Sequence, residues 1–217
     1  MTLPEYIASR FDMLAFQAVQ HASMVAQCLL VAAAVGVGLG ILVHRDERAT
    51  ALATGATSVL FTIPSLAMLG LLIAPLGLGV APSVTAIVLY ALLPVLRNTI
   101  VGLNGVDPAL VEAARGIGMS RSRVLLRVQL PLAWPVILTG LRVAAQLAMG
   151  IGAIAAFVSG PGLGDQIFSG LARIGAANAL NATLVGTLGI VLMALLFDAL
   201  FVLIGKLTTS RGIRSHA

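Results

Sequence analysis

The sequence predicts an all-α integral membrane protein with about five transmembrane helices, and three observations predict it. Apolar residues make up 59% of the 217-residue chain and charged residues 10%, with a mean hydropathy of +1.05. A soluble domain holds roughly 45–50% and 25%. Apolar runs long enough to cross about 30 Å of hydrocarbon recur along the chain. The few charges collect between those runs. This composition excludes an ordinary soluble enzyme, a disordered chain and a disulfide-stapled secreted module. The lone cysteine, Cys28, sits inside an apolar run and reads as a packed side chain.

Taken in order, residues 1–22 form an N-terminal helix. Pro4 suits its start, and Ile7, Phe11, Leu14 and Ala18 recur at helical spacing. The helix either lies in the membrane plane on the outside or runs on into the first span. No cleavable signal is read in the first 20 residues, where charge and apolarity mix. The core covers about 23–207. Its first span is about 23–43, where Gly36 and Gly40 form a small-xxx-small pair, with Ala34 and Gly38 on a neighbouring face. The second is about 56–73, interrupted by Pro64, and the third about 80–96, ending at Arg97-Asn98. Polarity returns over 103–129. The fourth span is about 134–158 with Arg142 near its start, and the fifth about 183–204. A tail of 208–217 follows. Residues 159–182 are too apolar for a free loop and too polar for a span, so a surface or re-entrant helix is expected, turning over Gly160 to Gly164.

The basic residues orient the chain. With five spans the termini lie on opposite sides. One side collects Arg45, Arg48, Arg97, Arg115, Arg121, Arg123, Arg127, Lys206, Arg211 and Arg214; the other holds Arg10 and Arg173. Positive-inside places the C-terminus in the cytoplasm and the N-terminus outside.

The segment 107–131, DPALVEAARGIGMSRSRVLLRVQLP, is the informative one. Asp107 is a good N-cap and Pro108 a good first helical residue. A short helix over 109–115 follows, Gly116 and Gly118 allow a sharp turn, and Ser120 can cap a second helix that closes at Leu130-Pro131. The pattern is too regular for a connector. Two other readings are a solvated charged loop and a DNA-binding helix pair. The second sits poorly between membrane spans, in a chain with seven Phe, two Tyr and one Trp.

The run Glu112-Ala113-Ala114, then Gly118, then Leu130-Pro131, resembles the EAA motif of membrane permease subunits of bacterial ABC importers. The resemblance spans about 23–207 and implies the type I (MetI-like) permease fold. It is closest to permeases for osmoprotectants such as glycine betaine, carnitine, choline and proline. The segments carrying it are Thr62 to Ala67, Tyr90 to Pro94, Arg97-Asn98-Thr99, Glu112 to Met119 and Gly160 to Gly164. Pro161 departs from the Ala or Gly frequent in relatives. The resemblance implies that 107–131 docks on a cytoplasmic ATPase dimer, with Glu112 and Gly118 central, Ala113 and Ala114 packing and Arg115 near the interface. It further implies a second permease subunit, identical or homologous, and an extracytoplasmic substrate-binding protein. ATP and Mg²⁺ would belong to the ATPase. This chain would bind no cofactor, and no nucleic acid is expected. For a compatible solute the chain would form the pathway; a permease for another small solute, such as an amino acid, is the alternative.

No residue looks catalytic. Lys206 follows Gly205, but Leu207 and Leu200 stand where a P-loop needs Ser/Thr and Gly. His21, His44 and His216 do not cluster with acids, so no metal site is expected. Pro64 breaks the second span and, with Thr62 and Ser65, reads as pore lining or gate, or as a structural kink alone. Asn98 is a further pore candidate. Gly160, Pro161, Gly162, Gly164, Asp165 and Asn178, with Gln166 and Arg173, are candidate outer contacts. Arg142 and Asp198 are intramembrane charges that could pair, or could snorkel near the inner face. A stand-alone channel or carrier and a membrane scaffold are the remaining readings. Transport without an ATPase would mark the first, and failure to bind an ATPase the second.

Overall fold

The computed structural model describes residues 1–209, so Arg211, Arg214 and His216 lie outside the described residues. Those residues form helices joined by short turns, with no strand among them. Helix α1 (Leu3–Ser9) is short, and the Glu5 carboxylate caps it by accepting from the Thr2 N–H at 2.9 Å. The chain breaks at Arg10, then α2 (Phe11–Val43) runs 33 residues without interruption. Both N-terminal alternatives are thus partly realised: 3–9 is a separate helix, and everything from Phe11 belongs to the first long one.

Next come α3 (Glu47–Thr62), α4 (Ser65–Leu76) and α5 (Val80–Asn104). The axes of α3 and α4 turn by 97° at Ile63-Pro64. Asp46 starts α3 by accepting from the Arg48 and Ala49 N–H groups at 2.9 and 3.0 Å. Helix α5 continues seven residues beyond Arg97, because Ile100 and Leu103 keep an inward apolar face. The expected end at Arg97-Asn98 is therefore corrected: Arg97 is an exposed residue within the helix.

Two short helices, α6 (Pro108–Gly116) and α7 (Arg121–Val124), lead through a π-helical turn, Leu125–Gln129, into α8 (Leu130–Ile154). The second helix of this segment was expected to close at Leu130-Pro131; instead those residues open α8. Proline removes one helical donor and crowds the carbonyl four residues back. The wider π turn just before it makes room for that ring within a continuous helix. Ser120 occupies the N-cap position of α7 without a side-chain capping bond. Because α8 begins at Leu130, Arg142 has twelve helical residues on either side, so it lies at mid-helix rather than near the start. After a 3₁₀ turn, Ala155–Val158, come α9 (Gly164–Leu171) and α10 (Ala179–Thr208).

Four stretches are long and apolar enough to cross a membrane: α2, α5, α8 with its preceding turns, and α10. The bent pair α3–α4 makes five when counted as one span. At 1.5 Å per residue, 25 residues reach about 37 Å. Helix α5 is the centre of the bundle, packed chiefly on α8 and α2. A Cβ on Gly36 would fall 2.8 Å from Val95, on Gly40 2.6 Å from Thr99, and on Gly140 2.6 Å from Asn98, so these glycines set the helix spacing. Gly38 meets nothing within 4 Å, and its partner Ala34 is exposed. The face they share is open. Cys28 is fully buried, as expected of a packed side chain.

The bundle has two ends. One carries the α2–α3 elbow, α6, α7 and the Thr208 end of α10, where Trp134 Nε1 donates to Thr208 Oγ1 at 2.6 Å. The other carries α1, the α4–α5 turn and the 155–179 segment. There the Gly79 N–H donates to Val158 O at 2.6 Å, and Asn181 Nδ2 to Met1 O at 2.8 Å.

Candidate coupling loop, broken span and intramembrane ion pair

Asp107 accepts from the Ala109 N–H at 2.8 Å and starts α6, as its side chain and Pro108 predict. The helix ends in a Schellman turn. The Met119 N–H reaches back to Ala114 O at 3.1 Å and the Gly118 N–H to Arg115 O at 2.9 Å, with Gly118 at φ +85°. Gly118 alone carries the left-handed backbone; Gly116 is the last helical residue. Ala114 is buried, whereas Glu112, Ala113 and Arg115 are exposed. The two alanines thus do different things: Ala114 seats α6 on its own chain and Ala113 faces out. Leu110 and Ile117 are exposed too, Ile117 at 81%. The short helix thus turns apolar side chains outward beside a carboxylate, Glu112, that has no partner among the described residues.

The base of this loop is tied to the bundle by residues that sequence reading did not single out. Arg45 donates to Gln129 Oε1 at 3.1 Å and through Nε to His44 Nε2 at 3.2 Å. His44 Nδ1 then donates to Ile41 O at 2.8 Å, since its other nitrogen is the acceptor. Arg45, His44 and Gln129 line one shallow cavity of about 330 Å³ with Glu112 and Arg115. Leu130 and Pro131 stand just beyond, in the first turn of α8.

At the break between α3 and α4, Ile63 is extended and its carbonyl is freed from the helix. The Tyr90 hydroxyl of α5 donates to it, and Phe61 packs edge-on to the Tyr90 ring at 5.8 Å. Broken backbone at membrane depth needs such a partner. Thr62 turns its hydroxyl back to Val59 O at 2.7 Å. Thr62 and Pro64 are exposed and Ser65 half-buried. Asn98 is half-buried, donates to Pro94 O at 2.8 Å and packs on Gly140 in the α5–α8 seam. It does not join the residues of the break. Tyr90→Phe leaves the Ile63 carbonyl unpaired, at a cost of about 1–3 kcal/mol. A lowered melting temperature of the purified protein, with the chain still folded, is the expected result.

Arg142 and Asp198 meet. The guanidinium pairs with both carboxylate oxygens, one contact being Nη2 to Oδ2 at 2.6 Å, and Gln146 Nε2 adds a third donor at 3.2 Å. Their side chains are 44% and 23% exposed within this chain, so the pair sits half open at mid-helix depth.

At the opposite end Gly160, Gly162 and Gly164 are buried, and their contacts are with the chain's own helices. Gly162, at φ +122°, lies against the His21 ring. Asp165 is exposed and accepts from Gln17 Nε2 at 3.1 Å; Pro161 and Asn178 are half-buried.

Comparison with known proteins fits this geometry. The family described as binding-protein-dependent transport system inner membrane component matches residues 32–210. The osmoprotectant import permease protein OsmW of Salmonella typhimurium is 38% identical over 96% of this chain and 98% of its own length. The glycine betaine/carnitine/choline transport system permease protein OpuCD of Bacillus subtilis is 41% identical over 82% of this chain and 77% of its own. Among solved structures, an inward-facing MetNI methionine ABC transporter aligns with TM-score 0.79 at 17% identity, covering 97% of this chain and 100% of that one. An amino acid ABC transporter aligns with TM-score 0.69 at 20% identity, covering 95% and 99%. At those identities the structures speak to the fold alone, and the fold is that of ABC importer permeases.

Proposed function

The chain belongs to the binding-protein-dependent transport system inner membrane components, and from that premise we propose that it forms the translocation pathway of an ATP-driven importer for a compatible solute. Glycine betaine, carnitine, choline and proline are the solutes of this class. The observation that carries the reading is α6, an exposed helix at one end of a membrane bundle. It ends in a glycine turn and presents Glu112 without a partner among the described residues. Such a surface needs a partner, and the matching partner is a cytoplasmic ATPase dimer. The ATPase binds ATP and Mg²⁺ and performs the hydrolysis; this chain transmits the resulting movement.

The rest of the assembly follows the same reading. The α6 end faces the cytoplasm, and α1 with the 155–179 segment faces outward. A second permease, identical or homologous, covers open faces such as the Gly38 side of α2 and completes the pathway. An extracytoplasmic binding protein delivers the solute from above, with Pro161, Asp165 and Asn178 among the residues that reach that surface. The bent α3–α4 pair contributes to the gate, because its 97° axis change at Ile63-Pro64 breaks the helix and frees a backbone carbonyl within the bundle.

Uptake of labelled glycine betaine by the complete reconstituted transporter tests the solute class. Competition by excess carnitine, choline or proline is expected, and none by a hydrophobic amino acid. Competition by methionine or histidine instead would move the chain to amino-acid import.

A further inference from the structure

Helix α1, the start of α2, α9 and the stretch before α10 enclose a cavity of about 440 Å³ at the end opposite α6. Arg10 and Arg173, the two basic residues that the charge distribution assigns to that side, both line it. Neither side chain makes a hydrogen bond or ion pair among the described residues. Arg10 is held with its guanidinium carbon 4.8 Å above the Tyr6 ring, which fixes the head group and leaves its edge donors free. The one acid of the lining, Asp165, already accepts from Gln17.

The wall is held by a chain of side-chain hydrogen bonds. Buried Tyr6 donates to Gln166 Oε1 at 3.0 Å, and buried Gln166 donates to Gln17 Oε1 at 2.7 Å, so the chain of bonds ends on Asp165. Asn178, also in the lining, has a buried Oδ1 with no partner among the described residues.

We propose that this cavity binds the carboxylate of a small zwitterionic solute; the choice of glycine betaine as probe rests on the solute class proposed above. Two free guanidinium groups against one engaged carboxylate give a net positive site. Planar guanidinium forks match a carboxylate in two parallel hydrogen bonds, which an ammonium cannot do. The volume lies in the small-molecule range of roughly 300–1,000 Å³. Arg10 and Arg173 take the carboxylate, and the cationic end is left to Asp165. A solute with a cationic head and no carboxylate gains nothing from the pair.

Equilibrium dialysis of labelled glycine betaine against the permease–ATPase complex in nanodiscs, without the delivery protein, tests this. Saturable binding is expected, displaced by carnitine and by acetate but not by choline. Arg173→Gln, at an exposed position, should weaken binding by about tenfold or more, with Arg173→Lys retaining part of it. Arg10→Gln should do the same, with the melting temperature as its folding control. Three results overturn the proposal: no saturable carboxylate binding, binding untouched by Arg173→Gln, or equal displacement by choline. If Arg173→Gln impairs only uptake driven by the delivery protein, with no solute binding, the arginines serve protein docking and the proposal also falls. The solute class is judged separately by uptake in the complete transporter. Binding of acetate that depends on Arg173 stands even if glycine betaine is not carried.

Discussion

Replacing either Arg142 or Asp198 with leucine is expected to cut solute uptake at least roughly tenfold, because each single change strands the other charge between α8 and α10, two helices long and apolar enough to cross a membrane. The pair joins α8 to α10 at the middle of α8, with Gln146 as a third member. Its half-open setting needs water or a partner permease beside it, since lipid would oppose exposed charge there. The double variant Arg142→Leu/Asp198→Leu removes the stranded charge. It should recover the yield and monodispersity of the complex while uptake stays low. Recovery of uptake along with yield would show that the pair only holds the two helices together.

The second large effect is expected at Gly118. Its φ of +85° closes the Schellman turn that sets α6 against α7. A residue with a Cβ pays roughly 1–2 kcal/mol there, and a β-branched one more, which lowers the correctly folded loop by about tenfold. Gly118→Val should therefore reduce uptake by at least that factor and weaken ATPase binding in a pull-down. Gly118→Asn, which tolerates the left-handed region, should keep most of both. Equal loss in the two variants would mean that space, not backbone conformation, is what the site requires.

The features legible in the sequence are the local ones. Asp107-Pro108 writes the start of α6, Pro64 writes the break in the second span, and Gly36-xxx-Gly40 writes a close helix contact. Each needs only a few neighbouring residues and one physical rule. Helix ends were less legible, because α5 runs past Arg97 on a face that stays apolar, and Pro131 is absorbed by a π turn. Least legible were bonds between distant positions. Arg45 with Gln129, Tyr90 with Ile63 and Gln17 with Asp165 are separated by 84, 27 and 148 positions. Nothing in the composition of either partner marks the other. The Arg142–Asp198 pairing was one of two readings open in the sequence, beside snorkelling, because so few charges lie within the spans that each had one candidate partner.

Solute should move through this chain only when an ATPase engages α6. Proteoliposomes holding the complete transporter, loaded with ATP and supplied with solute-charged binding protein, measure it directly. Labelled glycine betaine should accumulate only with ATP and the ATPase present, and Glu112→Ala should lower the rate by about tenfold, the change that 1.4 kcal/mol of lost coupling produces. Uptake by this chain without the ATPase, or uptake undiminished in Glu112→Ala, would contradict it.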